Sequence, residues 1–234
     1  MNRIAPTDRL DPAAIETWIF DLDNTLYPAG SNLFAQIDQR IGEFIRDYLE
    51  VDAVAARKLQ KSYFHEQGST LRGMMLAHDL DPAPYLDYVH DIDLAPIAPS
   101  PVLDAVLAAL DGQKLIFTNA STGHAQRVME RLGVGHHFDA IFDIAAANYV
   151  PKPYVEPYRQ LIAEYGIDPE SAVFCDDIAR NLAPAAALGV TTVWVRGNSA
   201  WSPDEPTETE GYVDHVTDDL ATWLGGVVAD GCQD

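Results

Sequence analysis

The sequence predicts an α/β fold, a parallel sheet interrupted by an all-helical insertion, and three observations carry the prediction. Four short apolar runs, at 17–20, 114–118, 172–175 and 191–195, are β-branched or aromatic and too short to be buried helices. Amphipathic stretches separate the last three, and strand-helix-strand order gives parallel strands with right-handed crossovers. Between the first and second runs, the stretch 31–95 shows helical spacing and no strand signal.

The elements follow in order. Leu33, Phe34, Ile37, Ile41, Phe44, Ile45 and Tyr48 recur as one helical face, and Asp52 opens a second helical segment through Gln67. Pro96, Pro99 and Pro101 close the insertion. Ser100 is the expected N-cap, with Pro101 at the first position, of a helix that runs to Leu110 and stops at Asp111-Gly112. Residues 202–211 read as an acidic exposed loop. The expected organisation is a core of residues 1–28 and 96–225, a helical cap at 29–95, and a flexible tail at 226–234.

With 234 residues, 47% of them apolar, the chain is long enough to bury a substantial core. Its 15 basic and 36 acidic residues give a net charge of −21, which argues against non-specific binding to nucleic acid or an anionic membrane. The first fifteen residues carry Arg3, Asp8, Arg9 and Asp11 and no apolar run, so neither a signal peptide nor a membrane span is expected there. Cys175 and Cys232 fit no disulfide or metal spacing, in keeping with a cytoplasmic protein. A monomer or a homodimer is compatible with all of this.

The chemistry concentrates at strand ends. Phe20-Asp21-Leu22-Asp23-Asn24-Thr25-Leu26-Tyr27 delivers two carboxylates at the carboxyl end of the first strand, where open parallel sheets bind ligands. Alternation within a strand would send Asp21 and Asp23 to one side, so both can address one reacting atom if the chain turns just after Asp21. The bland alternative is a solvated acidic turn. The run 172–175 ends in a second pair, Asp176-Asp177. Four carboxylates at one sheet edge need a cation, because a like-charged pair ~4 Å apart costs on the order of 4 kcal/mol at an effective dielectric near 20. Hard oxygen ligands select Mg²⁺ or Ca²⁺ over zinc, and a few carboxylates completed by water and a phosphate oxygen suit Mg²⁺.

The 114–118 run ends in Thr118-Asn119, which can donate to phosphate oxygens, although Asn119 or Ser121 can equally cap the following helix. Lys152 sits between Pro151 and Pro153, which stiffen the backbone around one cation. Cys175 reads as a core residue. His136-His137 reads as no metal pair, since adjacent side chains diverge. The four tryptophans read as packing.

Taken together, these motifs resemble the haloacid dehalogenase superfamily: an Asp-x-Asp at the first strand (Asp21, Asp23), a Ser/Thr at the second (Thr118), a lysine (Lys152), then an acidic pair (Asp176, Asp177). The resemblance spans about residues 17–197. It implies a Rossmann-like core with helices on both faces, a helical cap after the first motif, and a phosphohydrolase. Asp21 would be the nucleophile and Asp23 the general acid and base, with Mg²⁺ held by Asp21, the Asp23 backbone carbonyl and the Asp176 or Asp177 carboxylates. Thr118 and Lys152 would hold the phosphoryl oxygens.

Asp-Leu-Asp-Asn-Thr-Leu-Tyr, Phe-Thr-Asn-Ala and Asp-Asp-x-x-x-Asn look most like the pyrimidine 5'-nucleotidase branch, as does the cap segment from Tyr63 to Gly73. That implies a nucleoside monophosphate as the small phosphate ester bound, with Asn119, His65 and Arg72 as further substrate contacts and Asn181 beneath the acidic pair. Competing readings are a sugar-phosphate phosphatase or phosphomutase, a dehalogenase, and a non-catalytic protein that binds phosphorylated metabolites. A halide leaves without protonation, so Asp23 argues against the dehalogenase.

Overall fold

The computed structural model describes residues 10–197 and 211–231. Six strands, β1 (Thr17–Phe20), β2 (Gln113–Phe117), β3 (Ala140–Phe142), β4 (Ala172–Asp176), β5 (Thr191–Val195) and β6 (His215–Thr217), form one parallel sheet in the order β3-β2-β1-β4-β5-β6. This is the doubly wound arrangement, with the strand order reversing between β1 and β4. Phe20 pairs with Ile116 on one side and Cys175 on the other, so the residues that follow all three strands leave the sheet at one edge. The strands β3 and β6, three residues each, are too short to show a period and had no signal in the sequence.

The chain between β1 and β2 forms four helices: α1 (Leu33–Leu49), α2 (Ala53–Gln67), α3 (Thr70–His78) and α4 (Pro82–Val89). Helices α2, α3 and α4 start on residues whose side-chain oxygens accept a backbone N–H of the first turn: Asp52 from Ala55, Ser69 from Arg72, Asp81 from Ala83. These helices bury a core of their own around Ile45, Leu71, Met74, Tyr85 and Val89, which Ile144 joins from the sheet side. Two glycines permit the packing. Gly73 lies so close to Tyr63 that an added Cβ would sit 2.3 Å from that ring's attachment. Gly68 ends α2 at φ +76°, and a Cβ there would press on the carbonyl of Lys152 at 3.3 Å.

Helices α5 (Pro101–Ala109), α6 (Thr122–Leu132), α7 (Val155–Tyr165), α8 (Ala179–Ala187) and α9 (Leu220–Gly231) flank the sheet. Trp18 and Phe20 point to the face covered by α5, α6 and α9, while Ile19 points to the face covered by α7 and α8. That split is the period-two alternation of a strand buried on both sides. The tail expected to be flexible from residue 226 is instead helical through Gly231, because Leu220, Leu224 and Val227 are buried against the sheet. The acidic loop expected at 202–211 lies outside the described residues but for Gly211, as do Cys232 and Trp201. Among the described residues no helix is long and apolar enough to cross a membrane.

Candidate active site

Asp21 follows β1 directly, and its N–H donates to the carbonyl of Cys175 at 2.9 Å, tying the start of the motif to β4. The chain turns just after Asp21, as the convergence of Asp21 and Asp23 requires. Regular pairing stops at Phe20, and the chain coils over residues 23–28, with Leu26 N–H donating to the carbonyl of Leu22 at 3.1 Å and Asn24 at φ 63°. Asparagine tolerates that left-handed conformation better than most residues.

Lys152 is the hub. Its Nζ donates to Oδ1 of Asp21 at 2.7 Å, to Oδ2 of Asp176 at 2.7 Å and to the carbonyl of Phe117 at 2.9 Å, which accounts for all three ammonium protons. The lysine is buried, and burial alone would lower its pKa; the two carboxylates outweigh this and raise it. Asn119 fixes the backbone of this residue. Its Oδ1 accepts from Lys152 N–H at 2.9 Å, and its Nδ2 donates to the Lys152 carbonyl at 3.3 Å. Both ends of the Asn119 amide therefore serve Lys152, although the residue also lines the cavity.

Asp176 is held by more donors than any other acid here. Oδ1 accepts from Ile178 N–H at 2.8 Å and from Asn181 at 3.0 Å, and Oδ2 from Asn181 at 3.1 Å as well as from Lys152. Asp177 is placed through its backbone, whose carbonyl accepts the indole N–H of Trp194 at 3.0 Å. Carboxylate oxygens of Asp21, Asp176 and Asp177 lie within 4.8 Å of one another. Burial, opposed by Lys152 and reinforced by Asp176, pushes the Asp21 carboxyl up to about 7. Burial and then the charges of Asp21 and Asp176 push Asp177 well above the carboxylate range. Asp21 and Asp177, buried hard-oxygen donors that burial holds toward their protonated forms, converge with Asp176 in a donor set that fits a small divalent cation.

Asp23 behaves differently. Burial works against its ionisation, but the charge and hydrogen bond of His124, with Tyr27, hold its pKa below the usual range. The Tyr27 hydroxyl donates to Oδ1 at 2.6 Å, and Nε2 of His124 lies 2.9 Å from the same oxygen. Sequence reading missed this support. Tyr27 falls inside the quoted motif, but His124 is 101 residues from Asp23 and no local spacing links them. Thr25 was missed as well; its hydroxyl donates to Oδ2 of Asp21 at 3.3 Å.

A cavity of about 150 Å³ opens on Asp21, Asp23, Thr118, Lys152 and Asp177 and runs beneath the helical insertion to Phe34, Ile37, Ile41 and Phe64. Thr118 Oγ1 accepts from Ala120 N–H at 3.0 Å, a bond that leaves its own O–H as a donor. Two expected substrate contacts lie elsewhere. His65 is exposed and is not part of the cavity wall. Arg72 is also absent from the wall: its Nη1 donates to the carbonyl of Tyr149 at 3.4 Å and its guanidinium lies 4.9 Å from the Tyr154 ring centroid, joining α3 to the Lys152 segment. In their place the insertion presents Gln60 and Asp38, hydrogen-bonded to each other, to the cavity. His136 and His137, expected to diverge, both approach Oδ1 of Asp104, at 3.3 and 2.8 Å.

Residues 15–189 match the haloacid dehalogenase-like hydrolase family profile. Phosphate metabolism protein 8 of Saccharomyces cerevisiae is 27% identical over 196 residues, covering 77% of this chain and 61% of the yeast protein, so this chain spans under two thirds of that relative. The phosphoglycolate phosphatase of Rhodospirillum rubrum is 27% identical over 225 residues, 88% of this chain and 90% of that protein. Among solved structures, a HAD phosphatase from Thermococcus onnurineus superposes with a TM-score of 0.58 at 18% identity, covering 91% of this chain and 99% of that one. The L-2-haloacid dehalogenase of Xanthobacter autotrophicus with chloropropionic acid covalently bound superposes with a TM-score of 0.56, also at 18% identity, covering 91% and 98%. At such identities the structural likeness speaks for the fold.

Proposed function

The chain belongs to the haloacid dehalogenase-like hydrolases, and from that premise we propose that it is a Mg²⁺-dependent phosphomonoester hydrolase with Asp21 as nucleophile. The observation that carries the choice of phosphate over halide is Asp23, a second carboxylate beside the nucleophile with Tyr27 and His124 on one oxygen. An ester oxygen needs a proton to leave, and a halide does not. The phosphoglycolate phosphatase relative and the buried acidic trio support the same reading.

In this reading Asp21 attacks phosphorus, the bond to the ester oxygen breaks, and that oxygen takes a proton from Asp23. Asp23, held toward its ionised form in the free site, takes up that proton from solvent as the phosphate dianion arrives and raises its proton affinity. Water then attacks the aspartyl phosphate and gives its proton to Asp23, and Asp21 is released. The Thr118 hydroxyl, left as a donor, would hold a phosphoryl oxygen, and Lys152, its protons engaged by Asp21, Asp176 and the Phe117 carbonyl, would contribute its charge beside the nucleophile. Asp177, with Asp21 and the Asp23 carbonyl, would hold Mg²⁺, while Asp176, already engaged by Lys152 and Asn181, would orient them. When bound, the ion offsets the repulsion between the carboxylates and the phosphate.

The first candidates for substrate are pyrimidine nucleoside 5'-monophosphates. The cap sequence and the apolar walls at Phe34 and Phe64 support them. A second reading, a small phosphomonoester, is favoured by the cavity volume of about 150 Å³. That is below the range of roughly 300–1,000 Å³ typical of ligand sites, which favours a compact ester over a whole nucleotide. Phosphate release from UMP, CMP, purine nucleotides, phosphoglycolate and sugar phosphates, with and without Mg²⁺, separates the two. Turnover of a 2-haloacid with no phosphate release from any ester would overturn both.

A further inference from the structure

Tyr27 and His124 both address a single oxygen of Asp23. The hydroxyl donates to Oδ1 at 2.6 Å, and Nε2 of His124 stands 2.9 Å from it. The tautomer of His124 with the hydrogen on Nε2 makes it a second donor to Oδ1 beside the Tyr27 hydroxyl. Among the described residues no hydrogen bond is made to Oδ2, and Asp23 lines the cavity. Two donors on one oxygen remove the rotation about Cβ–Cγ that would otherwise exchange the two oxygens.

The imidazole of His124 is itself immobilised. Its side chain is fully buried, and the ring of His90 stacks on it at 4.5 Å between centroids and 17° between planes. His90 is held in turn by Ser121, whose Oγ lies 2.9 Å from its Nδ1, and by Arg127, which donates to its carbonyl. His90 caps the C-terminus of α4, the last helix of the insertion, and is part of the cavity wall. The chain Asp23–His124–His90 therefore runs from the sheet edge into the insertion.

We infer that Tyr27 and His124 are positioning residues that fix Oδ1 of Asp23, so that Oδ2 alone exchanges protons with the leaving oxygen and then with the attacking water. The inference rests on the phosphatase reading above. In the first step the electron pair of the broken P–O bond stays on the ester oxygen, which takes the Oδ2 proton. In the second, a water O–H gives its proton back to Oδ2 as the new P–O bond forms and the bond to Asp21 breaks. One carboxylate oxygen must meet two different partners in sequence, and a misplacement near 1 Å can cost on the order of 100-fold.

The test compares wild type with Tyr27→Phe, His124→Asn and His124→Gln in Mg²⁺, using the fastest alkyl phosphate of the panel and p-nitrophenyl phosphate, whose leaving group departs without a proton. We expect kcat on the alkyl ester to fall on the order of 10- to 100-fold with little change in KM. The pre-steady-state burst of p-nitrophenolate should keep its wild-type rate, because forming the aspartyl phosphate from that ester needs no acid. His124→Gln, whose longer side chain can bring an amide N–H to the position of Nε2 where that of Asn falls short, should recover part of the His124→Asn loss. Equal losses in the burst and on the alkyl ester, or no loss on either, overturn the inference while wild-type turnover leaves the phosphatase reading standing. A wild-type protein that releases phosphate from neither ester overturns both. Tyr27→Phe, which deletes one hydroxyl, decides the matter if the His124 variants do not fold.

Discussion

Nζ of Lys152 stands 2.7 Å from Oδ1 of Asp21, a contact between residues 131 positions apart. The same ammonium reaches Asp176, so one buried cation sits between the expected nucleophile and an acid of the neighbouring strand. Its removal leaves two buried carboxylates facing each other. Lys152→Met should lower kcat by at least ~100-fold and destabilise the protein by about 3–5 kcal/mol, the cost of leaving a buried ion pair half-made. Urea unfolding and phosphate release measure the two effects, and a variant as stable and active as wild type would show that the ammonium serves neither.

Asp21→Asn keeps the shape and removes the nucleophile. Phosphate release should drop to background, while the fold, seen by circular dichroism, persists. Residual turnover at the wild-type rate would remove Asp21 from the mechanism.

The proton balance of the acidic trio gives a pH prediction. Burial raises Asp21 to about 7 and raises Asp177 as well, so the folded metal-free chain holds protons that the unfolded chain has released. The favourable contribution is complete below the unfolded carboxyl pKa of about 4 and is lost as pH rises through about 7. Metal-free protein should therefore lose thermal stability across that window, and Asp21→Asn should flatten the slope. Because Mg²⁺ binds the deprotonated carboxylates, the rise in Tm it produces should grow between about pH 5 and 8. Calorimetry with Mg²⁺ and with EDTA reads this directly, and a Mg²⁺ shift independent of pH would argue against these ligands. EDTA should also silence turnover.

Close packing of α2 on α3 predicts a structural effect far from the chemistry. Gly73→Ala places a methyl group 2.3 Å from Tyr63 and should cost about 1–3 kcal/mol. His65→Ala, at an exposed position outside the cavity, should leave kcat and KM near wild type. A large KM increase in His65→Ala would return that residue to the substrate site.

Local pattern carried a good deal. The runs at 17–20 and 191–195 appear as β1 and β5 at the expected bounds, since a strand buried on both faces must be continuously apolar. The N-caps Asp52 and Ser100 work as the sequence indicates, because a cap bond closes within three residues. Hydrophobic burial gave the C-terminal helix an order that its glycines concealed.

The sequence by itself determined the alternation of strands and helices, the position of the insertion, and the acids delivered at the ends of β1 and β4, because each is encoded in a few neighbouring residues. Only the tertiary structure decided that Lys152 bridges Asp21 and Asp176, that Asn119 serves the Lys152 backbone, that His124 stands beside Asp23, and that Gln60 and Asp38 line the cavity. Those contacts join residues on separate elements. Hydrogen-bond partners across such distances are chosen by which side chains the packed sheet and helices bring together, and no spacing along the chain records that choice.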